Sequence, residues 1–103
     1  MPLLSALILR RSVTTEGTIR VRDVPFEANT LGEAIAVAES LLKIRVIPHD
    51  PPKWFRVYAA SGSSEYALAD IHVRRGDATI CPKQDLSFPL LPSDTLTIGE
   101  LAC

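Results

Sequence analysis

The sequence predicts an α+β fold in which one long amphipathic helix packs on one face of a mainly antiparallel sheet. One segment has apolar residues at helical spacing, and the segments around it alternate apolar and polar residues as strands do. These patterns give the element order β-β-α-β-β-β-β without an internal repeat. With 103 residues, 47% of them hydrophobic and 22% charged, the chain has the composition of a single globular domain spanning residues 1–103.

The first two strands are predicted over residues 5–11 and 18–24, with a polar turn between them. In the second strand Arg20 and Arg22 alternate with apolar residues. Such alternation is typical of a strand that has one face buried and the other in water. We therefore expect both arginines on the outer face of the sheet.

The helix is predicted over residues 30–44. Thr30 stands three residues before Glu33, the spacing of a capping box, in which the two side chains accept hydrogen bonds from free backbone N–H groups. Glu39 precedes Lys43 by four residues, the favourable order for a charge pair on a helix. Apolar residues at helical spacing predict a wide buried stripe made of Leu31, Ala34, Ile35, Val37, Ala38, Leu41 and Leu42.

Prolines and turn residues divide the second half of the chain. Residues 48–52 contain three prolines and predict a stiff, extended surface loop, while residues 44–47 are assigned to no strand. Residues 82–93 also hold three prolines and predict a long loop. The remaining strands are predicted over residues 54–59, 66–73, 78–81 and 94–101.

The outer face of the sheet is the predicted binding surface. One helix covers only one face, and period-two alternation turns the neighbours of the core residues outward. Thr95 and Thr97 are expected there, beside arginines and aromatic residues, which dominate binding hot spots. The simpler alternative is an ordinary solvated face, with Trp54 covered by Tyr58 and by arginine side chains. The predicted partner-binding residues are Arg20, Arg22, Trp54, Arg56, Tyr58, His72 and Arg74.

The charge balance disfavours a dedicated nucleic-acid binder. Eleven Lys and Arg stand against twelve Asp and Glu, a net charge of −1, whereas such proteins carry a basic excess. We therefore expect a protein partner with an acidic surface, and self-association into a homodimer as an alternative. Single-stranded nucleic acid stacked on Trp54 and Tyr58 is a further alternative, weakened by the acidic residues close in sequence to the arginines.

The sequence favours a non-catalytic adaptor over an enzyme. It holds no hydrolase, zinc-protease or nucleotide-binding motif, so we expect neither a cofactor nor a metal site. Of the two cysteines, Cys81 is expected as a half-buried core thiol and Cys103 as a loose terminal thiol, and a disulfide between them stays open. The alternative function is a small thiol-dependent enzyme or sulfur-relay component that uses Cys81 or Cys103, with His72 as a neighbour of Cys81.

The N-terminal apolar run is short and stands before Arg10 and Arg11. A signal peptide has the opposite order, and a membrane helix needs about 20 apolar residues. We therefore expect a cytoplasmic protein.

The hairpin, the helix over residues 30–43 and the closing segment 90–98 (Leu-Leu-Pro-Ser-Asp-Thr-Leu-Thr-Ile) together resemble the ubiquitin-like β-grasp superfamily. The resemblance implies a β-grasp fold over most of the chain. Residues 99–103 read Gly-Glu-Leu-Ala-Cys instead of the exposed Gly-Gly of modifiers and sulfur carriers. Plant-type ferredoxins share that fold, but their cluster needs four cysteines. The resemblance therefore implies a non-conjugating, protein-binding use of the fold.

Overall fold

One helix and seven strands build the described part of the chain, which in the computed structural model comprises residues 1–8, 19–50, 53–59 and 66–99. The predicted α+β class is therefore confirmed. The predicted turns at 12–17 and 61–64, the predicted strand ends beyond residues 8 and 99, and Cys103 lie outside these ranges. The elements are β1 (Leu3–Ile8), β2 (Ile19–Pro25), α1 (Leu31–Leu42), β3 (Ile44–Pro48), β4 (Phe55–Ala59), β5 (Ala67–Arg75), β6 (Ala78–Ile80) and β7 (Thr95–Gly99).

The strands form one mixed sheet in the order β2-β1-β7-β5-β4-β3, with β6 paired to β5. β1 and β7 run parallel, while the other strand pairs of the described residues are antiparallel. The first and last strands therefore lie side by side inside the sheet. β5 joins its two halves, because its beginning pairs with β4 and its later part pairs with β7 and β6.

The helix is shorter than predicted, and β3 is a strand that the predicted order lacked. Lys43 adopts a left-handed conformation (φ 55°, ψ 53°) and ends the helix by donating its N–H to the carbonyl of Glu39. The chain then pairs with β4, where Val46 lies opposite Val57. The Glu39 carboxylate accepts the N–H of Val46 at 2.9 Å instead of pairing with Lys43. The observed order is thus β-β-α-β-β-β-β-β.

The N-terminus of the helix follows the prediction closely. Thr30 is extended (φ −133°) and its hydroxyl accepts the N–H of Glu33 at 3.3 Å. Glu33 reaches back to the N–H of Asn29 at 3.3 Å, one residue earlier than in a standard capping box. Carbonyls of Phe88 and Leu86 accept the N–H groups of the first helical turn, so the loop before β7 helps to cap the helix.

The core lies between the helix and the inner face of the sheet. Alternate residues of each strand point into it, as the period of two requires. The prediction that Leu41 belongs to the buried stripe is wrong, because 52% of its surface is exposed. The helix contributes Leu31, Ala34, Ile35 and Ala38 to the core, while Val37 and Leu42 pack against it in part.

A matched pair of leucines tests this placement of the helix. Leu31→Ala should lower the free energy of unfolding by about 2.5 kcal/mol, because it opens a cavity in a fully buried site. Leu41→Ala should change it by less than about 0.5 kcal/mol, because Leu41 is largely in water. Urea denaturation of the two variants measures the difference. Equal costs would contradict the position of the helix on the sheet.

An ion pair fastens the loop between β6 and β7. Arg75 at the end of β5 donates Nε to Asp94 Oδ1 at 2.9 Å and Nη2 to Oδ2 at 2.8 Å. The Asp94 carboxylate also accepts the N–H of Leu91 at 2.8 Å. The backbone carbonyl of Asp94 accepts the N–H of Leu3 at 3.0 Å, so this one residue connects the loop with β5 and with the beginning of β1.

Candidate partner-binding surface

Strand register places most of the predicted residues on the outer face of the sheet. Arg74 lies opposite Thr95 of β7, and Arg20 lies opposite Leu7 of β1. Arg20, Arg22 and Arg74 are exposed. Among the described residues these three arginines form no ion pair, since the described pairs are Arg75 with Asp94 and His72 with Asp70. The face therefore carries positive charge that is available to a partner.

Two tyrosines and two arginines stack on this face where β3, β4 and the start of β5 meet. The guanidinium carbon of Arg45 lies 5.0 Å from the Tyr58 ring centre, and that of Arg56 lies 5.0 Å from the Tyr66 ring centre. The two tyrosine rings are 5.5 Å apart and tilted by 52°. Arg56 Nε also donates to Nδ1 of His49 at 2.9 Å. We call Arg45, His49, Arg56, Tyr58 and Tyr66 the aromatic cluster.

Exposed apolar side chains border the aromatic cluster. Ile47 lies opposite Arg56 across β3 and β4, and Leu68 lies opposite Arg56 on the other side. Ile47 and Leu68 are each 39% exposed, and Tyr66 is 36% exposed. Arg56 thus stands in a row between two apolar residues that are open to solvent.

The stacking holds Arg56 and its neighbours in place before any partner arrives. Stacking on aromatic rings and the bond to His49 restrict the arginine side chain. Interaction with the Tyr58 hydroxyl raises the pKa of Arg56 above its ordinary value. In the bond between Arg56 and His49, Nδ1 of His49 is the acceptor, so the ring adds a second restraint on the Arg56 guanidinium.

Trp54 and His72 are more buried than Arg20, Arg22 and Arg74, the exposed arginines of the predicted set. Trp54 is half-buried beneath Lys53, whose Nζ lies 4.9 Å from the ring centre. Its indole nitrogen is buried and has no hydrogen-bond partner among the described residues. His72 is only 9% exposed, and its Nδ1 lies 3.3 Å from the Oδ2 atom of fully buried Asp70. The role of these two side chains in partner binding stays a prediction.

Several members of this surface are not among the residues that the sequence predicts. Arg45 and Ile47 alternate with buried Ile44 and Val46, a strand pattern that was hidden because it follows the helix directly. Tyr66 and Leu68 alternate in the same way with two alanines. The first signal is visible as period-two alternation once residues 44–48 are treated as a strand, and the second lies within the strand already predicted over residues 66–73.

Cys81 takes the disulfide-bonded state that the sequence left open, and not the expected state of a free core thiol. Cys81 is disulfide-bonded, and the described residues contain no free cysteine. A sulfur in a disulfide has no thiolate to attack a substrate, so the predicted nucleophile at Cys81 is not available in this state. Cys103, the other cysteine of the chain, lies outside the described residues.

Within the described ranges, no cluster of three or more His, Cys, Asp or Glu side chains is arranged to hold a metal ion. The described helix is too short and too polar to cross a membrane. Comparisons with known protein families, with curated proteins and with solved structures gave no match.

Proposed function

We propose that this protein is a small non-catalytic binding or adaptor domain that docks a protein partner on the outer face of its sheet. The observation that carries the proposal is the aromatic cluster with its exposed apolar border, Ile47 and Leu68. Tyrosine and arginine are enriched in binding hot spots, where they supply large contact areas and directional hydrogen bonds. Exposed apolar residues beside them provide area that gains from being covered.

The arginines of the aromatic cluster are preorganised for binding. A partner that binds mobile side chains must order them, at about 0.5–1.5 kcal/mol for each long side chain. Arg45 and Arg56 are already stacked on tyrosine rings. Binding at the aromatic cluster therefore loses less side-chain entropy than binding at the free arginines Arg20 and Arg22.

Charge complementarity favours a partner with an acidic surface. The outer face holds arginines without ion pairs among the described residues, while Asp70 and Asp94 are buried. Positive side chains beside exposed apolar residues attract acidic groups and increase the rate of encounter. Homodimerisation and single-stranded nucleic acid remain the alternative uses of this face, and the experiment below separates them.

We also propose that the domain has the ubiquitin-like β-grasp fold that its sequence resembles. A hairpin of β1 and β2, a helix after it, and a last strand parallel to the first support that assignment. The cytoplasmic location stays a prediction from the sequence. The disulfide at Cys81 is more typical of an oxidising compartment, since disulfides are rare in the cytosol.

Two exposed leucines on different faces provide the test. Leu68→Asp places a charge in the border of the aromatic cluster, and Leu41→Asp places the same charge on the exposed side of the helix. We expect Leu68→Asp to weaken the binding of a partner captured from the source organism about thirtyfold. This is the change in Kd that corresponds to losing a hot-spot contact of about 2 kcal/mol. Leu41→Asp should leave capture unchanged.

The same capture experiment is run after nuclease treatment and beside sedimentation of the purified protein. A partner that binds wild type and Leu68→Asp equally would contradict the proposed surface. Loss of all binding after nuclease treatment would assign the face to nucleic acid. A purified dimer that Leu68→Asp converts to a monomer would assign it to self-association.

A further inference from the structure

A cavity of about 470 Å³ opens on the outer face, away from the aromatic cluster. Arg22 of β2 and Arg74 of β5 stand on its two sides, and Ser5, Thr95 and Thr97 form part of the lining between them. Three strand spacings, about 14 Å, separate β2 from β5. Two long arginine side chains can therefore approach one ligand from opposite sides.

The hydroxyl groups of the cavity are available as donors. Ser5 Oγ accepts the N–H of Asp23 at 3.1 Å, which leaves the hydroxyl proton of Ser5 free to donate. Ser5 lies opposite Thr97 in the parallel pair of β1 and β7, and Thr95 lies opposite Arg74. Among the described residues, the hydroxyls of Thr95 and Thr97 have no hydrogen-bond partner.

A β-bulge helps to build this cavity. The register of β1 and β2 shifts between Leu4 and Ala6, and Asp23 takes a left-handed conformation with φ 52°. Bulges bend a strand locally and change the direction of its side chains. Arg22 and Asp23 both line the cavity as a result. Asp23 adds one negative charge there, so the two arginines leave a net positive charge at its rim.

We propose that this cavity binds a phosphate group. Donors stand on three sides of it: one arginine on each flank and hydroxyls between them. A tetrahedral phosphate accepts hydrogen bonds from several directions, whereas one arginine alone satisfies a planar carboxylate in bidentate fashion. The cavity lies on the same face as the proposed partner surface. The phosphate assignment rests on the proposed function only for the source of the phosphate, which is a phosphorylated side chain of the partner.

Titration of the ¹⁵N-labelled protein tests the assignment. The probes are inorganic phosphate, a phosphoserine peptide, and the same peptide with glutamate in place of phosphoserine. We expect both phosphate probes to shift the amide signals of Gly76, Thr95 and Thr97. If the phosphoserine peptide binds at least tenfold more tightly than inorganic phosphate, the ligand is a phosphate carried by a protein. If the peptide and inorganic phosphate bind with equal affinity, the ligand is a small phosphate compound.

Variants connect the binding to the cavity. Arg22→Gln combined with Arg74→Gln should weaken phosphate binding at least tenfold, and Thr97→Val should weaken it about threefold without loss of fold. Lys43→Gln, which removes one positive charge at the end of the helix, should have no effect. Undiminished binding by the double variant, or equal affinity for the glutamate peptide, would overturn the proposal.

These experiments test the phosphate cavity and the partner surface independently of each other. Leu68→Asp should retain phosphate binding even though it loses the protein partner. If phosphate fails to bind while Leu68→Asp still abolishes partner capture, the cavity assignment falls and the aromatic surface stands.

Discussion

Replacing Asp94 by alanine should lower the free energy of unfolding by about 3 kcal/mol. The buried carboxylate accepts two hydrogen bonds from Arg75 and one from the N–H of Leu91. Removing one partner of such a pair leaves the other groups without an acceptor, which typically costs about 3–5 kcal/mol. Arg75 is partly exposed and can turn to water, so we expect a value at the lower end.

The measurement is urea denaturation at pH 7, with Glu27→Ala as the control. Glu27 is an exposed carboxylate, and its removal should change the free energy of unfolding by less than about 0.5 kcal/mol. Similar values for the two variants would show that the Arg75–Asp94 pair does not hold the loop.

The pH dependence gives an independent check on the same pair. Hydrogen bonding to Arg75 lowers the pKa of Asp94 below its ordinary value of 3.8. A depressed pKa in the folded state means that the ionised carboxylate stabilises the fold above about pH 4. This stabilisation is lost as the pH falls through the folded-state pKa. The difference between wild type and Asp94→Ala should therefore shrink in acid, and a difference that stays constant down to pH 2 would contradict the assignment.

Local patterns predicted the beginning of the helix better than its end. Thr30 and Glu33 satisfy backbone groups within one turn, so their spacing alone indicates the first residue. The end depends on Lys43, which adopts a left-handed conformation that lysine rarely takes. Without a glycine there, the apolar pattern runs on from Leu42 into Ile44, and the sequence predicts a longer helix and no β3.

The sequence could predict which residues lie on the outer face, but not which of them contact one another. Alternation alone turned Arg56 and Tyr58 outward, because a strand repeats every two residues. Contacts of Arg45 with Tyr58 and of Arg56 with Tyr66 depend on which strands pair and in which register. Such non-local pairing cannot be read from one strand. The covering of His72 beside Asp70 and the disulfide at Cys81 are likewise consequences of tertiary structure.

Phe55→Ala should have the largest effect, a loss of about 4 kcal/mol in the free energy of unfolding. Phe55 is fully buried in β4 and lies opposite Ala69 of β5. The next inward residue, Val57, lies opposite Ala67. Because Ala69 and Ala67 are small, they cannot fill the space of the lost ring from the β5 side, and poorly relaxed cavities have the highest costs. Phe55→Leu should lose only about 1.5 kcal/mol.

Tyr58→Ala on the outer face of the same strand completes the comparison. It should change the stability by about 1 kcal/mol, because Tyr58 is only half-buried, but weaken partner capture strongly. Phe55→Leu should do the reverse, with lower stability and unchanged capture. Equal stability losses for Phe55→Ala and Tyr58→Ala would mean that the inner and outer faces of β4 are assigned wrongly. In that case the aromatic cluster would lose its place on the surface, and the proposed binding function would fall with it.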